Sequence, residues 1–288
     1  MTMFSQAFRP IGSSKADPML IALWIGLIVL ALVWITPFVF IVFTALKSSE
    51  SVMNSSAFSL PTDLAFDNFI SAWKRGNFST TAFNGVVITV IKVPVGLFIS
   101  AMAAYALAKV PMRLNKVVFA LFVFGTMLPF QVMLAPIFRQ VNAFGLINTY
   151  PGIILPYLAF GIPYQVFILY GFFLAVPKEL SEAARIDGAS HFTIFRRIFL
   201  PVSLPVLSAL LILDFVATWN EFAMALVILQ DPKMWTLPLG LMNFQSQFQS
   251  NYGELNAAII MTVLPAAIVY LMFQRYFVAG LTTGAVKE

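Results

Sequence analysis

The sequence predicts an all-α membrane protein of six transmembrane helices with both termini on the cytoplasmic side. Three observations carry that reading. Hydrophobic residues make up 60% of the 288-residue chain and charged residues only 10%, with a mean hydropathy of +0.89, whereas a soluble domain carries roughly 25% charge. The apolar residues gather into six segments, each near the ~20 residues that cross a hydrocarbon layer about 30 Å thick. Lys and Arg concentrate in alternate connections, the asymmetry that orients membrane chains. There is no cysteine, hence no disulfide framework, and one histidine is too few for a His-based metal or catalytic cluster. The pI of about 9.5 reads as basic residues flanking a membrane rather than as a nucleic-acid surface.

Residues 1–19 hold Arg9, Pro10, Gly12, Lys15 and Pro18 and read as a polar cytoplasmic lead. The first span, 20–46, has a longer apolar run than a cleaved signal peptide, so it reads as a retained anchor. Residues 47–83 form an external loop with short surface helices around Pro61, Asp67 and Trp73. The second span, 84–108, contains Lys92 beside Pro94. An intramembrane lysine is a functional candidate, but this one lies eight residues from the external end, about 12 Å, within snorkelling reach. A basic turn with Lys109, Arg113 and Lys116 leads to the third span, 117–138, which Pro129 and Pro136 break on either side of Gln131. Such breaks are tolerated where the backbone faces a cavity or other protein. The fourth span, 152–176, carries Pro156, Pro163, Tyr164 and Gln165; the fifth, 202–229, carries Asp214, Trp219, Asn220 and Glu221. A second external loop, 230–256, rich in Gln and Asn and containing Gln245, Gln247 and Gln249, is a candidate contact for an external protein. The sixth span, 257–278, ends in a cytoplasmic tail, 279–288.

With both ends inside, eleven bases face the cytoplasm (Arg9, Lys15, Lys109, Arg113, Lys116, Lys178, Arg185, Arg196, Arg197, Arg275, Lys287) and five face outward (Lys47, Lys74, Arg75, Arg139, Lys233). The bias puts residues 177–200 inside.

That segment, between the fourth and fifth spans, holds seven of the 29 charged residues. Residues 180–189 hold strong helix formers. Gly188 interrupts them, and a second helical pattern follows with Phe192, Phe195 and Phe199 on one side, until Pro201 and Pro205 reset the backbone. Two short helices with a glycine joint suit a push from a soluble partner: Ala183, Ala184 and Ala189 let a surface approach, and Glu182 offers a charge. An ordinary interfacial loop whose arginines meet headgroups is the alternative.

Glu182-Ala183-Ala184-Arg185, then Asp187-Gly188-Ala189, then Leu200-Pro201 and Pro205, resemble the "EAA" loop of the transmembrane subunits of ABC importers. Trp219-Asn220-Glu221-Phe222, the turn Gly145-Leu146-Ile147-Asn148-Thr149 and the ending from Gln274 to Lys287 are similar to the carbohydrate-class permeases of the maltose and glycerol-phosphate type. The resemblance implies a type I importer permease fold with its core over residues 84–278, residues 182–189 as the segment that couples to an ATPase, and a bacterial cytoplasmic (inner) membrane location. It also implies partners: a second homologous permease, two ATPase subunits that hold ATP and Mg, and an external solute-binding protein. This sequence contains no GxxxxGK[ST] loop of its own, so the chain itself is expected to be neither an enzyme nor the holder of a cofactor.

Gln131, Tyr164 and Gln165, beside proline breaks, and Trp219, Asn220 and Glu221, which together offer a ring face and hydroxyl-binding groups, are candidates for a sugar, glycoside or polyol path. Asp214 and Glu221 are seven apart, two helical turns, and so lie near one face. They either line that path, or serve a stand-alone ion-coupled carrier, or tie neighbouring helices together.

Overall fold

The computed structural model describes residues 18–56, 58–244 and 251–285. The first 17 residues, Gln245, Gln247 and Gln249, and the last three residues of the tail lie outside the described residues. Among the described residues every regular element is helical.

The helices run α1 (Pro18–Ala45), α2 (Ser49–Asn54), α3 (Asp67–Arg75), α4 (Phe78–Lys109), α5 (Asn115–Thr126), α6 (Phe130–Ala143), α7 (Tyr150–Ala175), α8 (Glu179–Ile186), α9 (His191–Ile194), α10 (Leu200–Val202), α11 (Leu204–Trp219), α12 (Ala223–Ile228), α13 (Leu237–Gly240) and α14 (Tyr252–Ala285). Four of them, α1, α4, α7 and α14, are long and apolar enough to cross a membrane, and six spans result if each of two bent pairs counts as one. The first bent pair, α5 and α6, turns by 100°. Pro129, which has no N–H to continue the helix, stands at that break. The second bend, 74° between the α9–α10 segment and α11, sits at Ser203 between Pro201 and Pro205, for the same reason.

Several boundaries differ from the sequence expectation. Helix α4 starts at Phe78, six residues before 84, because Asn77 adopts the left-handed conformation (φ 48°) that turns the chain out of α3. The fifth apolar segment stops being helical at Trp219 and resumes as α12. Helix α14 begins at Tyr252 and continues to Ala285, taking most of the expected tail into the helix.

Helices α4 and α7 form the centre as a parallel pair, joined at three levels. Tyr150 Oη donates to Asn84 Oδ1 (2.7 Å) at one end, Ser100 Oγ donates to Gln165 Oε1 (2.8 Å) in the middle, and Lys109 Nζ donates to the Val176 carbonyl (2.7 Å) at the other end. Helix α5 packs on α7, and α11 lies against α4 and α14. Around the Lys109 end the core is aromatic: Tyr105, Phe173, Phe195 and Phe199 meet with centroids 5.0–6.5 Å apart. Helix α1 runs along α14 and buries only Thr44 and Ala45. Its foot is tied down by Asn68, whose Nδ2 donates to the carbonyls of Ala45 and Lys47 (both 2.9 Å).

The turn from Gly145 to Thr149 starts α7. Gly145 (φ 66°) and Asn148 (φ 59°) are left-handed, and Thr149 Oγ1 caps the helix by accepting from the Gly152 N–H (3.1 Å). A Cβ on Gly152 would lie 2.0 Å from the Leu146 carbonyl oxygen, so only glycine fits. Gly152→Ala is expected to cost at least about 1–3 kcal/mol of stability. Thermal unfolding of the purified variant in detergent checks this, and an unchanged midpoint would refute the close approach.

Candidate functional site

Two groups of polar residues stand out in this apolar frame, one on the segment between α7 and α11 and one buried among α4, α7 and α11.

The inter-helix segment is built from local rules. Asp187 closes α8, and Gly188 follows in the left-handed region at φ 80°. The Ala189 N–H bonds the Ala184 carbonyl (2.9 Å) and the Gly188 N–H bonds the Arg185 carbonyl (3.0 Å). This is the paired closure of a Schellman motif, and Ala184 and Ala189, which it brings together, both pack on the aromatic core. Ser190 then caps α9, accepting from the Thr193 N–H (3.2 Å). Glu182, Ala183, Arg185, Asp187 and Gly188 remain exposed, and Ile186 beside them is 88% exposed. Arg185 pairs with His191 Nε2 across the joint (3.2 Å) rather than with Glu182. Phe195 and Phe199 are buried, whereas Phe192, in the first turn of α9, is exposed and only edges the cluster, its ring centroid 6.3 Å from that of Phe195.

The buried group is ordered by helical spacing. Lys92, Gly96 and Ser100 follow one another a turn apart on α4, facing Gly161 and Gln165, a turn apart on α7. Lys92 forms an ion pair with Asp214 of α11; the two residues are 3% and 8% exposed. Snorkelling, the role expected from position, is therefore corrected: the ammonium points inward because Gly161 leaves room for it and Asp214 neutralises it. A Cβ on Gly161 would lie 3.0 Å from Lys92 Nζ. Gln165 is fully buried.

The remaining path candidates separate into two kinds. Trp219 is buried, stacks on Phe215 and donates Nε1–H to the Thr262 carbonyl of α14 (3.0 Å). Glu221 accepts from the Met224 and Ala225 N–H groups (2.8 and 3.0 Å), serving as the cap of α12, and from Tyr157 Oη of α7 (2.5 Å). Gln131, Tyr164 and Asn220 are exposed. The structure thus does not gather the six into one cavity. Sequence reading missed Tyr157 and the ladder of Lys92, Gly96 and Ser100; the four-residue spacing of the latter was the available signal.

Four helices, or six with the bent pairs, long and apolar enough to cross a membrane and tied by buried polar bonds define a helical protein of membrane-spanning type. The chain belongs to the family of binding-protein-dependent transport system inner membrane components, which matches residues 69–283. It is 37% identical over 266 residues to a probable ABC transporter permease protein of Bacillus subtilis, covering 92% of this chain and 88% of that one. It is 36% identical to the arabinooligosaccharides transport system permease of Halalkalibacterium halodurans, over 95% and 99% of the two chains. Its fold is similar to a chain of a bacterial ABC transporter involved in the import of the acidic polysaccharide alginate, with a TM-score of 0.81 and 25% identity over 93% of this chain and 100% of that one. These likenesses place it among the permease subunits of ABC transporters.

The Tyr157–Glu221 bond leads to a prediction. Tyr157→Phe removes a hydrogen bond to a largely enclosed carboxylate and is expected to lower stability by about 1.5–3 kcal/mol, whereas Tyr164→Phe, at an exposed ring, stays within about 0.5 kcal/mol. Denaturation of both variants in detergent makes the comparison, and equal losses would contradict the assignment.

Proposed function

We propose that this chain is a transmembrane subunit of a binding-protein-dependent importer for a sugar, glycoside or related polyol, driven by ATP through residues 182–189. The carbohydrate assignment is supported by relatives named for arabinooligosaccharide transport and by the structural likeness to an alginate importer. In this reading it works in a bacterial cytoplasmic (inner) membrane with a second permease, two ATPase subunits and an external solute-binding protein, and ATP with Mg is held by the ATPases.

The observation that carries the coupling role is the build of the α8–α9 segment. Its inner face is anchored to the aromatic core by Ala184 and Ala189, and its outer face leaves Glu182 and the aliphatic Ile186 uncovered. A surface that is both charged and apolar suits a protein cleft, where the apolar part is withdrawn from water and the charge finds a partner. Closure of the ATPases around ATP would displace α8. The Schellman joint transmits that displacement to α9, the π turn and the 74° bend, and so tilts α11 against α4. A stand-alone ion-coupled carrier draws no support here, since the two acids it would use are occupied by Lys92 and by Tyr157 with the α12 backbone.

The test is uptake by the assembled transporter in proteoliposomes. Glu182→Ala and Gly188→Pro, the latter impossible at φ 80° without rebuilding the joint, should leave the chain in the membrane while lowering ATP-driven uptake by about tenfold or more. Normal uptake by both variants would sink the coupling role, and gradient-driven uptake by this chain alone would replace the whole reading.

A further inference from the structure

The break between α11 and α12 divides the four residues Trp219–Phe222 into two pins and two presented side chains. Trp219, 5% exposed, is held by α14 through the Thr262 carbonyl, and Glu221 is held by Tyr157 of α7 and by the Met224 and Ala225 N–H groups. Asn220 and Phe222 alternate with them and are both exposed; among the described residues the Asn220 amide makes no hydrogen bond and the Phe222 ring meets no other ring. The pins also fix the depth. Tyr157 stands seven residues inside α7 and Thr262 ten inside α14, about 10 and 15 Å from where those helices begin. Both helices are long and apolar enough to cross a membrane, so Asn220 is carried within the span rather than at its end, on a face of α11 that otherwise shows Leu213 and Ala217.

Hydrocarbon offers a bare amide nothing to bond, and non-helical backbone at membrane depth is stable only inside protein or along a water-filled cavity. An exposed amide at a helix break therefore faces a polar surrounding rather than lipid. We propose that Asn220 and Phe222 are a sugar- or polyol-binding pair on the transport path, and that Trp219 and Glu221 are the positioning residues that hold the pair out. This inference rests on the importer reading above. An amide both donates and accepts, as a hydroxyl does, so it bonds a sugar OH in either sense without a charge to desolvate. The ring covers the apolar face of the sugar. Pinning on both sides matters because a contact made from a free loop loses, in ordering, part of what its hydrogen bonds gain. An amide that only tied this chain to a second permease would be covered by that subunit, and water would not reach it.

The sequence contains no cysteine, so a single thiol reports on its own position. In the complete transporter in proteoliposomes, Asn220→Cys and Phe222→Cys are exposed on both sides of the membrane to a charged methanethiosulfonate, and modification of this chain is read by mass. Val33→Cys, at a residue 63% exposed on the apolar surface of α1, is the control. Both thiols should react about tenfold faster than the control or more, because only a hydrated thiol ionises readily. Arabinotriose, maltotriose or glycerol, whichever the unmodified complex imports, should slow both reactions. Asn220→Leu should lower ATP-driven uptake of that compound by about five- to tenfold, and Asn220→Gln, which returns an amide, should recover part of it. Thiols as unreactive as the control overturn the proposal. Reaction in the detergent-purified chain but not in the complete complex assigns the pair to a subunit contact and overturns it equally, as does unchanged uptake by Asn220→Leu. Should Asn220→Leu not assemble, protection of the thiols decides, and its absence overturns the proposal. Absence of ATP-driven uptake of all three compounds by the unmodified complex would instead remove the importer reading, so the two failures are distinct.

Discussion

A polar group inside an apolar helix bundle must find its partner in the chain itself, because hydrocarbon supplies none. That constraint organises this structure. The α4–α7 pair is registered by bonds from Asn84, Ser100 and Lys109. Helix α11 is tied to it by Lys92 with Asp214, and α12 by Tyr157 with Glu221. Even the foot of α1 is held by a buried amide, that of Asn68. The apolar contacts are more numerous, but they are tolerant of sliding; the polar bonds are few and fix which turn faces which.

The same constraint explains why several residues that looked available for a ligand are already engaged. Glu221, next to Trp219 and Asn220, has the chemistry to bind hydroxyls, yet the helix broken at residues 220–222 exposes two backbone N–H groups that need an acceptor, and Glu221 supplies it. Trp219 spends its single donor on α14. The Glu182 and Ile186 face of α8, by contrast, is left uncommitted on the outside of the bundle.

Much of this was legible in the sequence. The apolar segments, the glycine joint at Gly188 and the breaks at Pro129 and Pro205 are written in composition and in backbone chemistry that act locally. The sharpness of the bends was not, since a proline says that a helix is interrupted and leaves the angle to the packing around it. Lys92 was misjudged because distance from a span end was weighed alone. Its inward turn depends on Gly161 and Asp214, 69 and 122 residues further along, and no local pattern encodes such a meeting. Phe192 was grouped with Phe195 and Phe199 by spacing alone, but it stands in the first turn of α9, at the edge of the aromatic cluster, and stays exposed.

The three-level fastening of α4 to α7 restricts how the bundle can deform. Its bonds are spread from Asn84 to Lys109, about 37 Å along the axis at 1.5 Å per residue. A slip of one helix past the other by a single residue would misalign all three at once. The pair is accordingly stiff against shear and behaves as one plank, so whatever motion the subunit makes has to come from rocking that plank as a unit or from swinging the proline-jointed segments about its edges.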